Sequence, residues 1–313
     1  MFTPEGAFVC AYFHIEKYKQ FLYDKEHDSG VRAGEGGKGM IEVLKAVLFG
    51  IVEGITEWLP VSSTGHLILL NEFINLNASD EFLNMFDVVI QLGAILAVCA
   101  LFFRKLNPFD RGKNETQKKQ TWSLWFKVIA AIIPSGVVGV LFDDWMSQHL
   151  HNSIVVSVAL IVYGVGFIWV EKRNEGRQMR VSDVHEIPLS TAIVIGLSQC
   201  LSLVPGTSRS GSTILGGILA GVSRGAAAEF SFFMAIPTML GASGIKLLKF
   251  FLSGAAFSAQ DLLVLLVGCT VSYIVSLLVI KGLMSYVRRH SFSAFGVYRI
   301  VLGIVVLIYF WVK

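Results

Sequence analysis

Six uninterrupted apolar segments, at about 86–103, 122–142, 153–170, 230–251, 262–284 and 295–312, dictate what this chain can fold into. Each is long enough, or nearly so, to cross a hydrocarbon core of about 30 Å as a helix. A bilayer offers no water to backbone amides, so such runs must satisfy their hydrogen bonds internally. The expected fold is therefore all-α and polytopic, with six transmembrane helices. Composition agrees: 54% of the 313 residues are hydrophobic and only 16% are charged, against about 25% charged in soluble domains.

Loop charge orients the spans. The loop 104–121 carries Arg104, Lys105, Arg111, Lys113, Lys118 and Lys119. The loop 171–186 carries Lys172, Arg173, Arg177 and Arg180, and 285–294 carries Arg288 and Arg289, whereas 143–152 and 252–261 contain no Lys or Arg. Basic loops stay cytoplasmic, so the first span runs inward and the last ends outside.

Two further apolar regions, about 43–76 and 187–222, are broken near their middles by Pro, Gly and Ser. Neither half of either region can cross alone, and the charge rule returns each region to its starting face. Both read as re-entrant helical hairpins, entering from opposite sides. Glu81-Phe82 precedes Leu92-Gly93-Ala94 at the same spacing as Glu229-Phe230 precedes Leu240-Gly241-Ala242. Together these features predict an inverted-topology repeat (about 43–170 and 187–312) whose broken elements meet near the membrane midplane.

The first hairpin carries Glu53 and Glu57, four residues apart and so on one helix face, followed by Pro60-Val61-Ser62-Ser63-Thr64-Gly65-His66. Two carboxylates inside a membrane are costly unless paired or bound to a cation. A divalent ion, Mg²⁺ or alternatively Ca²⁺, suits Glu53 and Glu57 together with phosphate oxygens. The Ser62–Gly65 turn opens a helix, and hydroxyls and amides at a helix N-terminus suit an anion. Ser63 or His66 could attack phosphorus, with Glu57 or the other of the two as base.

In the second hairpin, Pro205-Gly206-Thr207-Ser208-Arg209-Ser210-Gly211-Ser212-Thr213 places an arginine at membrane depth. A guanidinium there needs an anionic partner, and its fork matches phosphate. The competing reading pairs Arg209 with Glu53, Glu57 or Glu229. Ser208, Ser210 and Thr213 supply further donors. Gln199 holds the position that an acid holds in the first copy, while Glu81 and Glu229 read as structural. No P-loop, His-Glu-x-x-His zinc pattern, secretory signal or disulfide framework is present.

Glu53-x-x-x-Glu57, Pro60–His66 and Pro205-Gly-x-Ser-Arg-Ser-x-x-Thr213 resemble the two signature blocks of the undecaprenyl-diphosphate phosphatase family of the bacitracin-resistance type. The resemblance covers about 40–313. It implies a membrane enzyme that hydrolyses undecaprenyl diphosphate to the monophosphate, recycling the carrier lipid for peptidoglycan. It also implies divalent-cation dependence, and a site at the outer face of the plasma membrane lined by Glu53, Glu57, Ser63, Thr64, His66, Ser208 and Arg209. Ser62, Ser210 and Thr213 join these as expected substrate contacts. Undecaprenyl diphosphate and membrane lipid are the expected partners, with no nucleic acid, and a homodimer is left open. Attack by Ser63, His66 or water is left open too, as is a rival activity, carriage of a polyprenyl phosphate without hydrolysis. Residues 1–39 read as a disordered extension or an upstream start chosen in error.

Overall fold

The computed structural model describes residues 35–150 and 152–312; the expectation for 1–34 lies outside them. Among the described residues there is no β-strand, and helices carry the fold. The first helix, α1 (Glu35–Thr56), begins ahead of the expected boundary near residue 40. It is followed by α2 (Ser63–Phe73), α3 (Asp80–Val89), α4 (Gln91–Leu101), the single turn α5 (Phe103–Leu106), α6 (Glu115–Leu150) and α7 (Ser153–Arg173). The second half comprises α8 (Leu189–Cys200), α9 (Arg209–Leu219), α10 (Arg224–Leu252), α11 (Ala259–Tyr286) and α12 (Ser293–Val312).

Among the described residues, six stretches are long and apolar enough to cross a membrane: α3 with α4, then α6 up to Phe142, α7, α10, α11 and α12. They coincide with the six segments expected from sequence. Helix α6 continues as far as Leu150, through what the apolar pattern treated as a loop. Side-chain caps set many of the starts: Ser79 accepts from the Phe82 amide, Asn152 from Val155 and Ser223 from Ala226. Ser258 and Asp261 form a reciprocal capping box at α11.

Around an apolar core, the outer surface is apolar as well. Val140, Val301, Ile308 and Leu278 are exposed, as lipid-facing residues should be, while Glu53 and Arg299 are fully buried. Both interrupted regions, α1–α2 and α8–α9, are helix–break–helix units. The first helix of each unit leans on a span through glycine. A Cβ on Gly50 would lie 2.7 Å from the Gly268 carbonyl of α11, and one on Gly196 1.9 Å from the Ala131 carbonyl of α6. Helix α7 packs along α12. At the basic ends, Glu171 receives Arg224 and the Phe292 amide, and Lys105 reaches Glu229 at 2.5 Å. Glu229 is thus structural, as expected, and Glu81 is exposed at the start of α3.

Without a hydrophobic drive between helices in lipid, close backbone approach is a main source of association. Gly196→Ala therefore forces α8 from α6, at about 1–3 kcal/mol. Thermal unfolding in detergent should show a lower midpoint than the parent, and an unchanged midpoint would mean the helices part freely there.

Candidate active site

The two breaks meet. Pro60 and Pro205 cannot donate a backbone N–H, and each is followed by a turn that restarts a helix. Ser62 and Ser208 are the two non-glycine residues with positive φ among the described residues, at 75° and 73°. Each caps the helix it precedes: Ser62 Oγ accepts from the Gly65 amide at 3.3 Å and Ser208 Oγ from Gly211 at 3.1 Å. A serine in this conformation costs on the order of 1–3 kcal/mol, and such strain clusters at functional sites. Here it aims the following residues, Ser63 and Arg209, at one carboxylate.

That carboxylate belongs to Glu57. Ser63 Oγ donates to Glu57 Oε2 at 2.6 Å, and Arg209 Nη2 donates to Glu57 Oε1 at 2.9 Å. Arg209 Nη1 donates to the Ser231 carbonyl at 2.7 Å, while its Nε has no acceptor. The guanidinium also lies over the Trp58 ring, 5.8 Å from its centroid. A hydroxyl, a carboxylate that can take its proton, and a cation that orients the carboxylate form the arrangement that activates an oxygen nucleophile.

Glu53 is one helical turn before Glu57 and fully buried, and neither of its carboxylate oxygens meets a donor. It lies in the field of Glu57, Asp87 and Arg209. Asp87 itself accepts from Asn71 Nδ2 at 3.4 Å. Among the described residues no three His, Cys, Asp or Glu side chains converge closely enough to hold a metal by themselves.

The comparisons with known proteins now bear on this geometry. The profile of the family described as bacitracin resistance protein BacA matches residues 46–305. The chain belongs to that family. It is 55% identical over 274 residues to an undecaprenyl-diphosphatase of Streptococcus thermophilus (strain ATCC BAA-250 / LMG 18311), covering 88% of this chain and 95% of the relative. Undecaprenyl-diphosphatase 1 of Clostridioides difficile (strain 630) is 58% identical over 272 residues, 87% of this chain and 97% of its own length. The undecaprenyl-diphosphatase of Enterococcus faecalis is 57% identical over 271 residues, with 86% and 97% covered.

The other residues singled out from sequence take several places in this BacA-family chain. His66 is partly buried, with Nδ1 at 2.7 Å from the Ser62 carbonyl and Nε2 at 2.7 Å from the Tyr298 hydroxyl. Thr64 is exposed at the first turn of α2. Ser210 Oγ donates to the Glu57 carbonyl at 3.0 Å and contacts Ser208 Oγ at 3.2 Å. Thr213 is fully buried between the Arg209 carbonyl and Ser231 Oγ. These last two hydroxyls bind the second break and α9 to their surroundings. Gln199 Nε2 donates to Ser135 Oγ at 2.6 Å.

Arg299, which sequence reasoning passed over, is fully buried on α12. Its Nη1 donates to the Pro60 carbonyl at 3.0 Å, and Nη2 to the Gly206 and Thr207 carbonyls at 2.8 and 2.9 Å. One guanidinium thus fastens both turns. The available signal was a lone charge within an apolar span, which by default marks function. Arg299→Met should cost about 3 kcal/mol or more by leaving buried carbonyls unpaired. A denaturant titration in detergent checks this. Arg299→Lys should recover only part of the loss, because one ammonium cannot match the fork.

Proposed function

We infer that the chain hydrolyses undecaprenyl diphosphate to undecaprenyl phosphate and inorganic phosphate, returning the carrier lipid to use and conferring bacitracin resistance. The observation that carries this reading is the shared carboxylate: Ser63 and Arg209, from hairpins 146 positions apart, both bonded to Glu57. The relatives named undecaprenyl-diphosphatase support the substrate.

In this reading the diphosphate enters between the hairpins, and its charge draws Arg209 Nη2 and the free Nε. With Arg209 turned to the phosphates, Glu57 is left facing the Ser63 hydroxyl. Ser63 Oγ then attacks the terminal phosphorus and gives its proton to Glu57. The bond to the bridging oxygen breaks, and the lipid monophosphate leaves with the electron pair. Glu57 passes its proton to the departing phosphate. A water next attacks the phosphoserine and yields a proton to Glu57, which restores Ser63 and frees phosphate. The work is mostly positioning and charge neutralisation, as phosphoryl transfer requires.

A divalent cation fits the donor set on one ground: the buried carboxylate oxygens of Glu53 have no donor of their own. Glu53, with Glu57, would hold the ion, and its chemistry would be neutralisation of phosphate charge. Carriage without hydrolysis needs no hydroxyl seated on a carboxylate, so the Ser63–Glu57 contact favours the enzyme.

We read the architecture as an inverted-topology repeat with two re-entrant hairpins in the plasma membrane, the site opening outward. Support comes from the matched serine caps at Ser62 and Ser208, the matched glycine contacts at Gly50 and Gly196, and the basic loops. A cysteine at the exposed position 64 should react with a membrane-impermeant maleimide added outside intact cells. Labelling only after permeabilisation would reverse the orientation.

The purified protein with Mg²⁺ should release phosphate from a C55 diphosphate lipid and stop in EDTA. Glu57→Gln and Ser63→Ala should each lose about 100-fold or more, and Arg209→Lys should lose most activity. Acid quenching with labelled substrate should trap phosphate on Ser63. A label on His66, or no adduct in an active sample, would move the attack to His66 or to water.

A further inference from the structure

Resting on that reading of the site, we propose that Tyr298 is the positioning residue for His66. It would hold the imidazole in one tautomer and cover the nitrogen through which His66 exchanges protons. The case begins with the carbonyl of Ser62, which can only accept. Because it lies 2.7 Å from His66 Nδ1, that nitrogen carries the proton. In a neutral imidazole the lone pair is then on Nε2, and the group facing it at 2.7 Å is the Tyr298 hydroxyl. A phenol can donate there, so tyrosine and serine carbonyl fix the tautomer from both ends. The two rings are parallel, with an interplanar angle of 0° and centroids 5.7 Å apart.

Helix α12 explains how the contact is built. Neighbouring residues on a helix point about 100° apart. Arg299 turns inward to the carbonyls of both breaks, and Tyr298, one position earlier, reaches His66 at the first turn of α2. The residue that fastens the hairpins thereby sets the height of the one that holds the histidine. Tyr298 is 47% exposed, so its hydroxyl stands between His66 and the surface. Neither nitrogen of His66 faces Ser63, whose proton already has an acceptor in Glu57. His66 is therefore free to serve a different atom from the one Glu57 serves, and what it can serve depends on where Tyr298 lets Nε2 point.

Tyr298→Phe keeps the ring and deletes the hydroxyl. Two measurements on the full-length protein in detergent test the proposal. The first is the rate at which diethyl pyrocarbonate modifies His66, followed by mass spectrometry, which needs no turnover. With the Nε2 lone pair released, Tyr298→Phe should react several-fold faster than the parent. The second is steady-state hydrolysis of the C55 diphosphate lipid. There kcat should fall roughly tenfold with KM within about twofold, since a positioning loss acts on the chemical step. In a His66→Gln background the same substitution should cost nothing further. Unchanged modification would overturn the contact. Faster modification with unaltered kcat, or an equal loss in the His66→Gln background, would overturn the positioning role. If the parent protein releases no phosphate, the phosphatase reading fails, while the modification rates still decide whether Tyr298 holds His66.

Discussion

A broken helix inside a membrane leaves backbone carbonyls that water cannot reach, and Arg299 settles that debt at both breaks. Its three hydrogen bonds to Pro60, Gly206 and Thr207 satisfy the acceptors that the turns expose. One cation bonded to both turns also fixes their separation. The distance from Ser63 to Arg209, and hence the possibility of sharing Glu57, follows from that. Burying a guanidinium is expensive. The cost is offset only where several acceptors would otherwise be orphaned, as they are here.

Given that frame, the site is a balance of buried charge in which Glu57 is satisfied and Glu53 is not. Glu57 has a cation on one oxygen and a hydroxyl on the other, and Ser210 bonds its main-chain carbonyl. Glu53 has the acids Glu57 and Asp87 and the Arg209 cation around it, and none of them donates a hydrogen bond to its carboxylate oxygens. A protein that merely needed stability would replace such a side chain, because an unpaired buried polar group costs on the order of 1–3 kcal/mol. Its presence is intelligible if something positive belongs beside it during turnover. Strain at Ser62 and Ser208 fits the same account: both serines hold a positive-φ conformation, and strain of that kind clusters at functional sites.

Much of this was legible in the chain because the bilayer imposes crude rules. Apolar length gave the six spans, and Pro-Gly-Ser clusters inside apolar regions gave the two breaks. Glu57, Ser63 and Arg209 stood out because charge and hydroxyls are rare at such places. The residues that sequence reading missed lie elsewhere, in unbroken helices. Arg299 and Tyr298 sit in α12 and Asp87 in α3, where the apolar pattern reads simply as a span. Ser231, which accepts from Arg209 through both its carbonyl and its hydroxyl, is a lone serine inside a long span, and nothing in the apolar pattern marks it. Helix α6 ran on beyond Phe142 because hydropathy marks where lipid ends and says little about where a helix does.

The same architecture bears on why a broken-helix membrane fold can be an enzyme at all. Paired discontinuous helices suit carriers because their free ends bind an ion and release it as the halves rock. Chemistry asks for the opposite property, since a nucleophile misplaced by an ångström forfeits much of its rate. In this chain the two breaks are cross-bonded to each other directly: Ser210 to the Glu57 carbonyl, and Arg299 to both turns. Rocking one break against the other would part several of these buried bonds at once, and each buried polar group left unpaired costs about 1–3 kcal/mol. Where a carrier would have a sliding interface, this fold has a rivet, and the rivet holds the two turns that carry Ser63 and Arg209.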